Sequence, residues 1–143
     1  MNKQLKNTHH IYEVYFFMYS IRELSLIFLI GGLAYGLLEI LFRGYTHWTM
    51  LVTGGLCFLI FYILNFILKT DSLWVRCIIA MIIITTLELI VGVIVNIILK
   101  WNVWDYSKMF MNFMGQICAL YSGIWFSMGV PMTYIANYLK SRF

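Results

Sequence analysis

"CIIAMIIITTLELIVGVIVNIIL", residues 77–99, carries a single formal charge, Glu88. A helix of about 20 mostly apolar residues is long enough to cross the hydrocarbon of a bilayer. Outward from this run the same pattern recurs. Leu24 to Leu41 carries one charge, Glu39; Gly44 to Leu68 and Met109 to Leu139 carry none. The pattern predicts an all-α membrane protein, a four-transmembrane-helix bundle with spans at 24–44, 48–68, 74–99 and 114–136. These spans form a single integral membrane domain over residues 1–143. Composition agrees: 62% of the residues are apolar and 11% charged, against roughly 25% charged in a soluble domain. A soluble fold of this length leaves too much surface in water to hide so much apolar side chain. The alternation of a membrane barrel is absent.

At the N-terminus, Glu13 interrupts the apolar run and no A-x-A site follows Lys3 and Lys6, so a signal peptide is not expected. Ile11 to Tyr19, rich in Tyr and Phe, reads as an N-terminal interfacial helix or as an extension of the first span. Lys3, Lys6, Arg22, Lys69, Arg76, Lys140 and Arg142 fall on one side of a four-span layout, and Arg43, Lys100 and Lys108 on the other. The excess of positive charge puts both termini in the cytoplasm. The net charge of +4 is therefore a topology signal, and no basic stripe or motif points to nucleic acid. Cys57, Cys77 and Cys118 read as small apolar fillers, and the adjacent His9 and His10 as part of a solvated tail. No metal site, cofactor or catalytic residue is expected, and the chain does not read as an enzyme.

The rare polar groups fall into stripes. Gly32, Gly36, Glu39 and Arg43 share one face of the first helix, with Glu39 and Arg43 at ion-pair spacing. Gly32 and Gly36 let another helix approach closely. Glu88, Gly92 and Asn96, with Thr85, line the third helix. A carboxyl as deep as Glu88 must face the bundle, pair or take a proton, since a charge near the bilayer centre costs at least about 2.5 kcal/mol. Asn112, Gly115 and Gln116, followed by Ala119, Ser122 and Gly123, make a small and polar side on the fourth. The stretch between helices 3 and 4 places Asp105, Lys108, Asn112 and Gln116 among aromatics and methionines. We expect residues 101–113 to form a short interfacial helix or re-entrant loop. Trp101 and Trp104 would sit at the interface, and the segment would cap a cluster of Glu39, Arg43, Asp105, Asn112 and Gln116 above Glu88. His47 beside Trp48 reads as an interface anchor. Two four-residue matches, "LLEI" at 37–40 with "LELI" at 87–90 and "GGLC" at 54–57 with "GQIC" at 115–118, suggest a faint parallel repeat.

The segments "GGLAYGLLEILFRGYTHWTMLVTGGLCF" and "TLELIVGVIVNIILKWNVWDYSKMFMNFMGQIC" resemble the ABC transporter permease family, type IV, of small bacterial membrane proteins. The resemblance covers residues 30 to 126. It rests on Glu39-x-x-x-Arg43-Gly44 with Thr46-His47-Trp48, on Glu88-x-x-x-Gly92-x-x-x-Asn96, on Trp104-Asp105-Tyr106-Ser107, and on Asn112-x-x-Gly115-Gln116-Ile117-Cys118. It implies a multi-pass inner-membrane protein, either a permease-like subunit or a small transporter, and it brings no substrate or catalytic residue with it. No Walker A sequence is present, so an ATPase would come from a separate chain. The chain departs from the family pattern at Asn65-Phe66, Thr133-Tyr134 and Asn137-Tyr138, where relatives carry acids. No ion-coupled role is carried over to those positions. A structural reading, as a holin-like pore former or accessory subunit, stands beside the transport reading. Four short helices leave little room for a path, so a homo-oligomer or a partner membrane subunit is expected within the bilayer.

Overall fold

The computed structural model describes residues 20–143; Lys3, Lys6, the His9–His10 pair and the helix expected at 11–19 lie outside the described residues. Four helices follow in order: α1 (Ile21–Arg43), α2 (Trp48–Ile67), α3 (Leu73–Gly92) and α4 (Ala119–Lys140). A π-helical turn, Val93–Ile98, extends α3. Among the described residues there is no strand, only one isolated bridge between Phe113 and Ile117. Ile21–Arg43, Trp48–Ile67 and Leu73–Ile98 are long and apolar enough to cross a membrane. Hydrocarbon offers backbone groups no water, so helices that satisfy their own amides are the form such runs take.

Local signals set the helix ends. The Ser20 hydroxyl accepts from the Glu23 amide at 3.1 Å and opens α1, and Gly44, at φ 80°, closes it with its N–H on the Ile40 carbonyl. His47 caps α2, its Nδ1 accepting from the Thr49 amide at 3.4 Å. With the π turn counted as the end of α3, the first three helices start and end within three residues of the expected spans. The fourth does not. It begins at Ala119 instead of 114, because Met114 and Gly115 take left-handed φ angles of 53° and 69° that interrupt a right-handed helix. It then runs through Pro131 to Lys140.

α1 packs along α2 and α3 along α4, and the two hairpins meet chiefly through α2 and α3. Glycines set the closeness of the first seam. A Cβ on Gly32 would lie 2.6 Å from the Leu51 carbonyl oxygen, one on Gly55 would lie 2.7 Å from the Phe28 ring, and one on Gly54 would collide with Tyr35. One on Gly36 would meet only the tip of the Leu51 side chain, which can move. In the second hairpin a Cβ on Gly129 would lie 2.5 Å from Cys77 Cα. The backbones of α1 and α4 stay apart. Side chains bridge them at one end, where Lys140 pairs with Glu23 at 3.1 Å.

Leu33, Leu37 and Leu41 on α1, Ile82 and Ile90 on α3, and Leu120 on α4 point outward and are exposed. Such a surface suits a lipid surround and not water. The faint repeat does not extend to the fold. Glu39 lies one turn from the end of its helix while the π turn carries the third helix a further turn and more beyond Glu88, and "GGLC" is inside α2 while "GQIC" precedes α4.

The difference between the two α1 glycines is testable. Gly32→Ala should lower stability in detergent by about 1–3 kcal/mol, because a backbone carbonyl cannot move aside. Gly36→Ala should cost clearly less. Equal losses in thermal melts would show that the seam is not set by the Leu51 carbonyl.

Candidate functional site

Among the described residues, Glu88 is the most buried ionisable group, 1% exposed. Its two carboxyl oxygens are both occupied. Tyr35 of α1 donates its hydroxyl to Oε1 at 2.8 Å, and Trp125 of α4 donates its indole N–H to Oε2 at 2.9 Å. The two rings stack, with centroids 5.5 Å apart. Glu88 forms no ion pair among the described residues. Three helices therefore share one carboxyl through neutral donors. Nothing in the spacing of α3 announces Tyr35 or Trp125. The available signal is a Trp in the middle of a charge-free run, away from an interface, whose buried N–H requires an acceptor.

Glu39, Arg43, Asp105, Asn112 and Gln116 were expected to form one cluster above Glu88, and the structure separates them. Glu39 and Arg43 form the expected pair at 2.8 Å, and Thr46 donates to the other Glu39 oxygen at 2.7 Å. Arg43 also donates to the Val103 carbonyl at 2.6 Å and to the Tyr45 hydroxyl. Asn96 and Gln116 form the second group. The Asn96 amide donates to Gln116 Oε1 at 2.8 Å, while Asn96 Oδ1 accepts from the Val103 N–H at 2.6 Å. Trp104, 4% exposed, donates its indole N–H to the Gln116 carbonyl and packs where a Cβ on Gly92 would otherwise sit. Glu88 stands alone beneath. His47, Trp48 and Asp105–Asn112 belong elsewhere.

Three expectations are corrected here. Trp104 is buried in the bundle and not at the interface. Of the two forms expected for residues 101–113 the helix is absent; they make an irregular loop that folds back on the end of α3. Lys100, Asn102 and Met111 take left-handed φ angles between 49° and 56°, and a helix cannot accommodate them. Asp105 and Asn112 are not in the cluster. The Asp105 carboxylate is exposed and accepts from the Ser107 amide at 2.8 Å and the Ser107 hydroxyl at 3.0 Å, closing its own turn. Asn112 is also exposed and donates to the Ser107 and Met109 carbonyls, while accepting from the Gly115 amide. Short polar side chains satisfy nearby backbone first, and in an irregular loop that backbone has no other partner. The loop contact of Arg43 is the Val103 carbonyl. His47 and Trp48 sit at the start of α2 against Trp101, with ring centroids 5.7 Å (His47–Trp101) and 6.1 Å (Trp48–Trp101) apart. Trp48 and Trp101 are both exposed, as interfacial anchors are.

Aromatic rings connect the outer groups to the deep one. Tyr106 of the loop stacks on Tyr121 of α4 at 4.6 Å, and Tyr121 lies 6.3 Å from Trp125. Tyr106 and Tyr121 line an open cleft with Arg43, Tyr45 and Asp105. Burial raises the Tyr106 hydroxyl above its ordinary pKa, with Glu88 adding to the effect, so it stays neutral. Below the cleft, between α1 and α4, a shallow apolar groove runs from Leu38 and Trp125 toward Ile30 and Ile135, with Tyr35, Phe58 and Pro131 in its walls.

A family model described as "Putative ABC-transporter type IV" matches residues 7–143. The chain belongs to this family. Three helices that can cross a membrane and this membership together make it a transport-related membrane protein. No curated protein and no solved structure matches it. The family match includes the Glu39–Arg43 and Glu88–Asn96 segments and the whole loop that Asn96 holds.

Sequence reasoning missed a further polar group at the other end. Glu23, 3% exposed, accepts from the Tyr62 hydroxyl as well as from Lys140, and Asn65 donates to Asn137 at 3.3 Å. The Ser20-x-x-Glu23 spacing was the available signal, since it marks a helix start and puts the acid in the first turn.

The loop lock and the surface turn should respond differently to mutation. Asn96→Ala strands the buried Val103 amide and Gln116 Oε1, and should destabilise by about 1–3 kcal/mol per stranded group while speeding hydrogen exchange across residues 101–118. Asp105→Asn should leave that exchange unchanged outside residues 105–107. The Ser107 donors hold the Asp105 carboxyl below its usual range. A depressed carboxylate stabilises above its unfolded pKa, so the turn should persist on acidification and open only below the ordinary carboxylate range. Exchange measured against pH reports both effects.

Proposed function

We propose that the chain is a permease-like subunit of a transport system, one membrane domain of four spans with both termini in the cytoplasm. α4 is the fourth span: at 1.5 Å per residue it is long enough, it carries no charge before Lys140, and its packing beside α3 keeps it in the same layer. The observation that carries the transport reading is Glu88, a carboxyl held mid-bundle by neutral donors next to a gap between α1 and α4. Carboxyls within spans are rare because they are costly, and those that occur mark the routes of substrates and ions. Tyr35 and Trp125 join Glu88 as the deep part of the site. Glu39, Arg43, Asn96, Trp104 and Gln116 position the loop above it. The chain binds and passes; it does not catalyse. Four short helices leave little room for a path, so a second copy or another membrane subunit completes it, and a separate ATPase drives it.

Two experiments test this reading. Tagged chain purified from its native membrane in mild detergent should bring with it a nucleotide-binding subunit and vanadate-sensitive ATP hydrolysis. Purification without either favours the accessory or pore-forming reading. For topology, Cys57, Cys77 and Cys118 are buried, so single added cysteines can be read against a quiet background. An impermeant maleimide should label Lys108→Cys in intact cells and Ser141→Cys only after permeabilisation; the reverse pattern overturns the orientation.

A further inference from the structure

Three contacts fix how the chain before and within α4 lies along α3. A Cβ on Gly129 would lie 2.5 Å from Cys77 Cα, the Thr85 and Ser122 hydroxyls are 3.2 Å apart, and a Cβ on Gly92 would lie 3.0 Å from Gln116 Cβ. The pairs step in opposite directions along the two segments, so Gln116 lies level with Gly92. Gly92 is six residues short of Ile98, where the π turn ends. Gln116 is therefore sunk more than one helical turn below the end of the third helix. The Phe113 amide donates to the Ile117 carbonyl at 2.9 Å, which holds Phe113 at that same depth. Trp101, an exposed interfacial ring, has its amide on the Val95 carbonyl. Phe113 lies below that level.

At this depth the segment is turned inside out. Phe110, Met111, Phe113 and Met114 are each more than half exposed. The polar groups of the same stretch are used on one another. Asn112 donates to the Ser107 and Met109 carbonyls, and Gln116 Nε2 donates to the Met114 carbonyl at 3.0 Å. The Gly115 carbonyl accepts from the Tyr106 amide at 2.7 Å, and the Phe113 carbonyl from the Gln116 amide at 3.0 Å. A loop in water leaves such carbonyls to the solvent, whereas in hydrocarbon an unpaired one is costly.

A protein partner could also cover the patch. Four side chains offer less than the about 800 Å² that a stable interface takes from each side, and the paired carbonyls need no donors from outside. Hydrocarbon requires neither area nor shape complementarity. Lys108, exposed two residues before the patch, can extend its ammonium to lipid phosphates.

We infer that residues 110–114 form a lipid-inserted turn, with Phe110, Met111, Phe113 and Met114 seated among the acyl chains of the outer leaflet just beneath the headgroups. The inference takes only the side of the membrane from the orientation proposed above. It gives the loop two anchors, Asn96 within the bundle and the leaflet outside it.

The test uses full-length chain in vesicles of phosphatidylethanolamine and phosphatidylglycerol, with a nitroxide on one added cysteine at a time; the native cysteines are buried. Oxygen concentrates among acyl chains, and a neutral nickel chelate stays in water, so the ratio of collisions with each reports the surroundings of the label. Leu33→Cys, on the outward face of α1, serves as the lipid reference, and Ser141→Cys, exposed at the far end of α4, as the water reference. Met111→Cys and Met114→Cys should both match Leu33→Cys, favouring oxygen over the chelate. A match to Ser141→Cys places the turn in water and overturns the inference. Labels shielded from both reagents also overturn it, and show the patch covered by a second copy or another subunit. Neither failure touches the transport reading, which the co-purified ATP hydrolysis decides.

Discussion

One carboxyl organises the middle of this bundle. Hydrocarbon gives a buried polar group no water, so its partners must come from the protein. Glu88 finds them on α1 and α4, in Tyr35 and Trp125, and thereby links two helices whose backbones stay apart. The link sets the position of the aromatic pair and leaves the groove beside it. Apolar packing alone has little reason to hold α1 and α4 in register, because lipid tails satisfy Leu and Ile as well as another helix does. At the opposite end the Glu23–Lys140 pair, with Tyr62, repeats the device.

The rest of the packing follows from close approach and from loops. Where two helices need only meet, glycines at Gly32, Gly54 and Gly55 bring α1 and α2 together. Where the chain must return between α3 and α4, the irregular loop has many amides to satisfy. Asn96 does so from within a π turn, in which the Leu99 amide bonds to Ile94 and the Trp101 amide to Val95. Such turns recur at functional sites. Here the turn ends α3 with Asn96 next to Gln116 and the Val103–Trp104 backbone.

Polar residues in the loop thus serve two different ends. Asn96, Gln116 and Trp104 fasten it to the bundle, while Asp105 and Asn112 shape its outer turn. Arg43 ties α1 to the same loop through the Val103 carbonyl. The outer cleft and the groove below it share walls from α1 and α4. A motion of the loop would be felt at Tyr106, then along its stack with Tyr121 toward Trp125.

The sequence by itself determined the helices and the pairs that lie within one helix. Long charge-free runs, Ser20, Gly44 and the i, i+4 spacing of Glu39 and Arg43 are local signals, and physics reads them over a few residues. It also showed that Glu88 needed a partner, since depth within a span follows from counting residues. Which partner was a matter for the tertiary structure. Tyr35 and Trp125 stand 53 and 37 positions from Glu88, and their polar atoms reach it only once three helices have packed. The same limit explains Asp105. Its charge and its place beside Arg43 in topology suggested a bond, but a serine two residues away competes at no entropic cost of bringing distant chain together. Helix α4 began late for a similar reason, because the left-handed residues before it are stabilised by contacts with the loop and with α3. Local chemistry is written along the chain; the choice among distant partners is made by packing.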